Sequence, residues 1–339
     1  MRWRCSDVAL ASSQRVVVAL LLGLSACAHS PLPSTALHFA DSTDPLVSEG
    51  FGACAADQPD SISLDSDEPL VVIVHGCLSS GHEFKKLSEV FEFHGQQSIC
   101  FNYDHRRTLR GTAVRLRRGL DALRARIPNR QITLLGHSQG GLVSRIALAE
   151  LDDVVNTEQH DLRLVTVSSP FSGIHASRHC GLPWLHVLSL GITLAVCQGI
   201  AGANWVEIHP RSRYWTEPSV LDPGVYQHVQ IVTEEEGTCR VRDEDGECSE
   251  DDLVFTTEEQ DNALMSEDPR VEVARIHAGH AQVVGGGGVD PTALIAVLQE
   301  FNVLAPTEPA RAGELVTLIR TLFEEPEQTP APRFSSATE

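Results

Sequence analysis

The sequence predicts an α/β protein built on a mostly parallel sheet. Short runs of β-branched and other apolar residues alternate along the chain with segments of helical period. Because strand, helix and strand follow one another repeatedly, the connections are crossovers, which join parallel strands. The 339 residues are enough for one large domain or two small ones, at roughly 100 to 200 residues per domain.

Six apolar runs have the length of buried strands and are separated by helical patterns. The predicted strands are residues 70–74, 98–103, 131–135, 162–168, 226–232 and 271–276. The predicted helices are residues 83–93, 112–127, 141–151 and 291–301. Residues 315–323 have helical apolar spacing, and residues 326–339 have the composition of a disordered tail.

The charge balance excludes a nucleic-acid binder. With 26 Lys plus Arg against 46 Asp plus Glu, the formal net charge is −20, the opposite of what a phosphate backbone attracts. No cysteine and histidine cluster has zinc spacing and no glycine-rich loop carries a phosphate-binding lysine. We therefore expect neither a metal nor a cofactor.

One part of the chain is basic. Arginines are concentrated between residues 106 and 130. They can dock against anionic lipid headgroups, or they can form ion pairs with local carboxylates on a solvated helix face. We favour the ion pairs.

The N-terminus has the order of a secretory signal, predicted over residues 1–26. Arginines precede an apolar run at residues 16–24, and small residues follow. The run is too short to cross a bilayer, which needs about 20 apolar residues.

Residues 24–27, Leu-Ser-Ala-Cys, resemble the lipobox of bacterial lipoproteins. This resemblance implies lipidation of Cys27, cleavage before it, and a cell-envelope protein held at the membrane by acyl chains. Residues 27–66 would be the lipidated tether. The alternative is an ordinary cleavable signal in which Cys27 is incidental.

Seven cysteines follow Cys27, and in an exported protein pairing is the default expectation. Two pairs flank short segments, Cys239 with Cys248 and Cys180 with Cys197. Cys54 with Cys100 is a weaker prediction, and Cys77 is left unpaired.

The motif with the most chemical content is Gly136-His137-Ser138-Gln139-Gly140. A Gly-x-Ser-x-Gly run directly after an apolar strand and directly before a helix is typical of a nucleophile elbow. The tight turn lifts a serine hydroxyl out of the sheet. Ser138 is therefore the candidate nucleophile.

With its neighbouring motifs, the chain resembles the α/β-hydrolase family, in particular triacylglycerol lipases and related serine esterases. Residues 72–76, Val-Ile-Val-His-Gly, are similar to the family's oxyanion turn. Residues 167–173 are similar to the segment after the next strand, with Phe171 where histidine is common. Residues 209–215 are similar to the stretch before the strand that leads to the acid. The resemblance implies an α/β-hydrolase domain over residues 67–303, a mostly parallel central sheet flanked by helices, and an apolar cap or lid at about residues 171–213. Residues 304–339 would add a C-terminal helix and the tail.

In this family the triad follows the order serine, acid, histidine. The histidine lies on a loop beyond the last core strand, which favours His280 over the alternative, His277. The oxyanion donors would be the backbone N–H groups of Cys77 and Gln139.

The acid falls within an acidic loop. Residues 251–254, Asp-Asp-Leu-Val, resemble the family's Asp-Gly-Val-Val element, which makes Asp251 the expected acid and Asp252 the alternative. The same loop shares part of an EF-hand pattern, but Val241 falls at the first ligand position. A calcium site is therefore not favoured.

These observations predict a lipid-anchored serine hydrolase that cleaves carboxylic esters, with lipid or other acyl esters as substrates. An acyltransferase with the same triad is a close variant. The alternative is a catalytically silent α/β-hydrolase-fold lipoprotein that binds an apolar ligand or a partner.

Overall fold

The computed structural model describes residues 36–39, 44–55, 62–65, 68–128, 130–149, 161–175, 204, 207–243 and 245–323. The strands, in chain order, are β1 (Ala36–Phe39), β2 (Phe51–Gly52), β3 (Ile62–Asp65), β4 (Leu70–Val74), β5 (Gln97–Phe101), β6 (Ile132–His137), β7 (Leu162–Val167), β8 (Val225–Glu234), β9 (Cys239–Arg242), β10 (Cys248–Asp251) and β11 (Val271–His277). The α-helices are α1 (Pro45–Glu49), α2 (Lys85–Phe93), α3 (Leu109–Arg126), α4 (Gln139–Ala147), α5 (Arg213–Thr216), α6 (Thr257–Gln260), α7 (Ala263–Ser266), α8 (Thr292–Glu300) and α9 (Ala312–Phe323).

A seven-stranded sheet forms the centre, in the order β11-β8-β7-β6-β4-β5-β2. Every neighbouring pair is parallel except β2 with β5. The predicted fold class, a mostly parallel sheet flanked by helices, is confirmed. The two smaller sheets are the antiparallel pairs β1–β3 and β9–β10.

Strand β4 shows why the core strands are continuously apolar. All five of its residues are buried. Leu70, Val72 and Val74 face one apolar cluster, which includes side chains of α3 and α4. Val71 and Ile73 face the other cluster, with side chains of α2 and α8. A parallel sheet covered on both faces has no solvated side, so it cannot alternate apolar with polar residues.

The folded domain begins earlier than the sequence predicts. Leu46 and Phe51 are almost completely buried, and β2 pairs with β5 through Phe51 and Gly52. A disulfide joins Cys54 to Cys100. Residues 44–55 are therefore held in the domain by packing and covalently, and the tether expected over residues 27–66 does not extend through them. The signal sequence and Cys27 lie outside the described residues.

The disulfide predictions have three outcomes. Cys54–Cys100 and Cys239–Cys248 are confirmed. Cys77 is free and exposed, as expected. The predicted Cys180–Cys197 pair lies outside the described residues, as does most of the predicted cap, residues 176–203.

Ion pairs hold part of the basic segment. Four arginines of α3 contact carboxylates: Arg115 with Glu49, Arg117 with Asp121 and Asp222, Arg124 with Asp161, and Arg126 with Asp44. These contacts support the ion-pair interpretation over lipid docking for this helix. None of the helices in the described ranges has the length and apolarity needed to span a membrane.

Candidate active site

Ser138 lies in a strained turn between β6 and α4. Its backbone has φ 56° and ψ −126°, a left-handed conformation that costs a residue with a side chain about 1–3 kcal/mol. The two motif glycines make the turn possible. A Cβ on Gly136 would lie 2.6 Å from the carbonyl oxygen of Gly140, and one on Gly140 would lie 2.1 Å from that of Val74. The predicted elbow is therefore present in the structure.

The turn after β4 lies against the elbow. A Cβ on Gly76 would come within 2.9 Å of the Ser138 Cβ and 3.4 Å of its Oγ. Only glycine lets a main chain pass that close to the serine. Cys77 follows at the surface, and Gln139 is buried at the first position of α4. Cys77 is the neighbour of Gly76, and Gln139 is the neighbour of Ser138. The role of their N–H groups as oxyanion donors stays a prediction.

His75 holds this turn in place. Its Nε2 accepts the N–H of Tyr103 at 3.3 Å, so its Nδ1 carries the proton and donates to the Gly76 carbonyl at 2.9 Å. The Tyr103 hydroxyl donates to the His75 carbonyl at 2.8 Å. Burial lowers the pKa of His75 to about 4, which keeps the ring neutral and this hydrogen-bond pattern fixed near pH 7.

His280 is the histidine that the structure brings to the elbow. His137, directly before Ser138, donates its Nε2–H to the His280 carbonyl at 3.0 Å, and the two rings lie 4.9 Å apart. The ring of Phe255 packs edge-on against the His280 ring, also at 4.9 Å. His277, the alternative, is the exposed last residue of β11. The arrangement favours His280 as the base.

The carboxylate beside His280 belongs to Glu235, which the sequence analysis did not single out. Its Oε1 lies 3.1 Å from Nδ1 of His280. Its Oε2 accepts the backbone N–H groups of Val254 at 2.6 Å and Phe255 at 2.9 Å. Burial opposes ionisation of this side chain, but hydrogen bonds from His280, the Phe255 N–H and Ser168 outweigh it and lower the pKa of Glu235. Glu235 is therefore a buried, ionised partner for the imidazole.

Asp251, the expected acid, does not reach His280. It ends β10, whose four residues are all exposed, in a hairpin held by the Cys239–Cys248 disulfide. The alternative, Asp252, is completely buried but binds main chain. Its Oδ2 accepts the N–H groups of Ala281 and Gln282 at 2.9 and 3.0 Å, and its carbonyl accepts the N–H of His280 at 3.0 Å. Asp252 thus holds the histidine loop rather than the ring.

Ser168 is a second residue that the sequence analysis missed. It follows β7 with φ 46° and is completely buried. Its Oγ lies 2.7 Å from Glu235 Oε1 and 2.8 Å from His280 Nδ1. The Thr233 hydroxyl lies within hydrogen-bonding distance of both Ser168 and Glu235, at 2.9 and 2.8 Å. The carboxylate and the imidazole are therefore held in one geometry by a buried hydroxyl network.

A signal for Glu235 exists in the sequence. Residues 234–236 are three consecutive glutamates that begin two residues after the end of the predicted strand 226–232, and ligands bind at the carboxyl ends of parallel strands. The resemblance to Asp-Gly-Val-Val drew the prediction to the next acidic loop instead. For Ser168, whose role depends on contacts with two distant segments, the sequence carries no comparable signal.

Asp243 shapes the turn of the acidic loop. Asp243 Oδ1 accepts the N–H groups of Asp245 and Glu247, at 3.0 and 2.9 Å, and so closes the β9–β10 turn. No group of three or more His, Cys, Asp or Glu side chains suited to a metal occurs in the part of the chain that the structure describes.

Comparisons with known proteins agree with this fold. Residues 69–179 match the family model described as alpha/beta hydrolase fold. No curated protein matches the chain in sequence. Together with the sheet order and the elbow, the match identifies the α/β-hydrolase fold.

Among solved structures, the chain is similar to the mature form of the lipase BlEst2 from Bacillus licheniformis, with 15% identity and a TM-score of 0.48 over 70% of this chain and 93% of that one. A lipase-esterase related protein from Clostridium acetobutylicum has 13% identity and a TM-score of 0.39, over 79% and 98% of the two chains. The esterase Pf2001 from Pyrococcus furiosus has 18% identity and a TM-score of 0.38, over 76% and 86%. At these sequence identities and TM-scores, the similarities assign no activity to this chain.

Proposed function

We propose that the protein is a serine hydrolase of carboxylic esters in which Ser138 is the nucleophile, His280 the base and Glu235 the acid. The observation that carries the proposal is the strained serine at the elbow, next to a histidine loop whose imidazole Nδ1 contacts a buried carboxylate. A serine hydroxyl becomes a good nucleophile when an imidazole accepts its proton, and a carboxylate holds that imidazole in the right tautomer.

The mechanism follows from the partners of the imidazole. Because Nδ1 lies against Glu235 and Ser168, it carries the proton, and Nε2 is free to accept the proton of Ser138. The serine oxygen then attacks the ester carbonyl, and the N–H groups of Cys77 and Gln139 receive the oxyanion. The histidine returns the proton to the leaving alkoxide. Water, activated by the same imidazole, hydrolyses the acyl-enzyme.

Apolar side chains near the site support an apolar acyl chain in the substrate. Leu78, next to Cys77, is 81% exposed. Leu253 and Val254, next to the Phe255 that packs on His280, are also exposed. Exposed apolar groups on two loops beside the chemistry can bind a substrate chain through burial of its methylenes. Lipid or other acyl esters are therefore the proposed substrate class.

The test measures covalent labelling and turnover of the wild-type protein and of two serine variants. Wild-type protein should react with a fluorophosphonate probe and hydrolyse p-nitrophenyl octanoate. Ser138→Ala should lose the labelling and lower kcat by several orders of magnitude, since the triad acts as a unit. The exposed Ser249→Ala is the control and should behave as wild type.

One outcome would reject the hydrolase, and a second would reject Ser138 as its nucleophile. A folded wild-type protein that neither labels nor hydrolyses esters would favour the silent binding protein. Undiminished hydrolysis by a folded Ser138→Ala protein would reject this nucleophile.

For the base, His280→Ala should abolish turnover whereas His277→Ala retains it.

The proposal extends to an anchored protein of the cell envelope, supported by the lipobox-like residues 24–27. Cys27→Ala should leave the signal uncleaved or move the protein from the membrane fraction to the soluble fraction. Fractionation and mass spectrometry of the N-terminal peptide measure this. An N-terminal lipid mass that is the same in wild type and in Cys27→Ala would contradict the anchor.

A further inference from the structure

A cavity of about 300 Å³ lies at the far end of the helix that follows Ser138. Arg145 lines it from the last turn of α4, seven residues beyond Ser138, or about 10 Å at 1.5 Å per residue. Arg110 lines it from the first turn of α3 and Arg213 from α5. The wall is completed by Tyr214, Trp215 and Met265. Three cationic side chains therefore meet at one cavity in a chain whose net charge is −20.

Among the described residues, Arg145 is a buried cation with no carboxylate at ion-pair distance. It is 5% exposed, and its guanidinium donates to the thioether of Met265 at 3.2 Å and the carbonyl of Ser219 at 3.3 Å. Burial lowers the pKa of Arg145 to about 10 while the charge of Asp268 opposes that effect, so the group stays charged at neutral pH. A buried charge without a counter-ion costs several kcal/mol.

The neighbouring carboxylates do not neutralise this cluster. Asp268 is bound bidentately by Arg270, at 2.9 and 2.7 Å. Within the described ranges, no carboxylate oxygen lies within 4.0 Å of the guanidinium nitrogens of Arg110, Arg145 or Arg213. Glu217 also lines the cavity, and Glu207 accepts the backbone N–H of Arg110 at 3.4 Å and the hydroxyl of Tyr214 at 3.3 Å. The three arginines outnumber these two carboxylates. This contrasts with the arginines of α3 that pair with Glu49, Asp161 and Asp44.

The rest of the wall is apolar with one unused donor. Ile146 and Ala149 line the cavity beside Met265. The indole N–H of Trp215 is buried and has no hydrogen-bond partner among the described residues. Guanidinium groups match the two oxygens of a carboxylate or phosphate, and the apolar wall suits a short carbon body. The volume is at the lower end of ligand sites, about 300–1,000 Å³.

We propose that this cavity binds a small oxyanion, a phosphate or carboxylate group on a short apolar body, with Arg145 as its central ligand and Arg110 and Arg213 at its rim. The site is separate from Ser138 and uses the opposite end of the same helix. It does not depend on the proposed ester hydrolysis.

The experiment is calorimetric titration of the full protein with inorganic phosphate and, separately, with sodium octanoate, at constant ionic strength in chloride. Wild type should bind at least one of the two saturably. Binding of phosphate alone identifies a phosphate site. Binding of octanoate alone identifies a site for a carboxylate on an apolar body. Binding of both anions supports the shared oxyanion chemistry.

The variants locate the binding. Arg145→Met keeps an apolar stem against Met265 and should weaken binding at least tenfold. Arg213→Gln and Arg110→Gln alter exposed residues and should weaken it as well, which keeps the test valid should the buried variant fail to fold. Arg118→Gln, an equal change of charge at an exposed position of α3, should leave it unchanged. Absence of saturable binding by either anion, or equal binding in all variants, would overturn the proposal. Ester hydrolysis by Arg213→Gln is measured alongside, so that this result and the hydrolase proposal are judged separately.

Discussion

Glu235 occupies the position that decides how the imidazole is held. Its two oxygens have five partners between them, the His280 ring, two hydroxyls and two backbone N–H groups. That number of donors keeps a carboxylate ionised even when it is buried. A glutamine of the same shape would present an amide whose N–H₂ cannot accept the imidazole proton.

Glu235→Gln should therefore lower kcat by about 10² to 10⁴, because the imidazole loses the tautomer in which Nε2 accepts a proton. Asp251→Asn, at the exposed hairpin, should leave kcat unchanged. Steady-state kinetics on p-nitrophenyl octanoate measure both. A loss of activity in Asp251→Asn with normal turnover in Glu235→Gln would return the acid role to Asp251.

At the scale of an element, the loop that carries His280 depends on Asp252. This residue accepts three successive N–H groups, two through the side-chain Oδ2 and one through its backbone carbonyl. Gly279 is pressed against it, since a Cβ there would lie 2.2 Å from Oδ2. The loop therefore closes around a carboxylate instead of around apolar side chains.

Asp252→Ala should lower the free energy of unfolding by about 1–3 kcal/mol, because two buried N–H groups lose their acceptor. It should also lower kcat with little change in KM, since the loop positions the base and does not bind the acyl chain. Asp252→Asn keeps an accepting oxygen and should restore most of both. Denaturant unfolding and kinetics measure the effects, and an alanine variant with wild-type kcat would exclude the positioning role.

The elements differ in how well the sequence predicts them. Strands β4 and β6, buried at every residue, were predicted to within a few residues because burial on both faces demands continuous apolar runs. Strand β2 was missed because two residues, Phe51 and Gly52, carry no periodicity. The elbow was predicted because its glycines are required by local backbone contacts. Glu235 as the partner of His280 was not predicted, because several carboxylates follow β8 and only tertiary packing brings this one to the imidazole.

At the scale of the whole molecule, burial of neutral histidines makes stability depend on pH. Burial lowers the pKa of His75 to about 4 and those of His137 and His228 to about 3. An unfolded chain binds these protons near pH 6.5. Between pH 6.5 and about 4 the unfolded state therefore binds more protons, and the free energy of unfolding falls as the pH falls. The lowered pKa of Glu235 adds a loss in the same direction below its ordinary value of 4.5.

Urea unfolding at pH 7, 6, 5 and 4 should show this steep loss of stability. His228 is completely buried, with Nε2 at 3.0 Å from the Thr166 hydroxyl. The change in the free energy of unfolding with pH reports how many more protons the unfolded state binds. His228→Gln should reduce that number by about one, because one buried neutral histidine is gone. His277→Gln, at an exposed position, is the matched control and should not change it. An identical slope in wild type and His228→Gln would refute the assignment.

The last helix completes the loop that follows His280. The Phe323 ring packs against Gly285 and is almost completely buried. A Cβ on Gly285 would lie only 2.3 Å from this ring. Ribosomes make a protein from its N-terminus, so the serine, the glutamate and the histidine are all synthesised before this ring. A nascent chain that has not reached residue 323 lacks the packing that closes the end of the histidine loop. The packing on Gly285 therefore comes only with residue 323, after the side chains of Ser138, Glu235 and His280 have all been made.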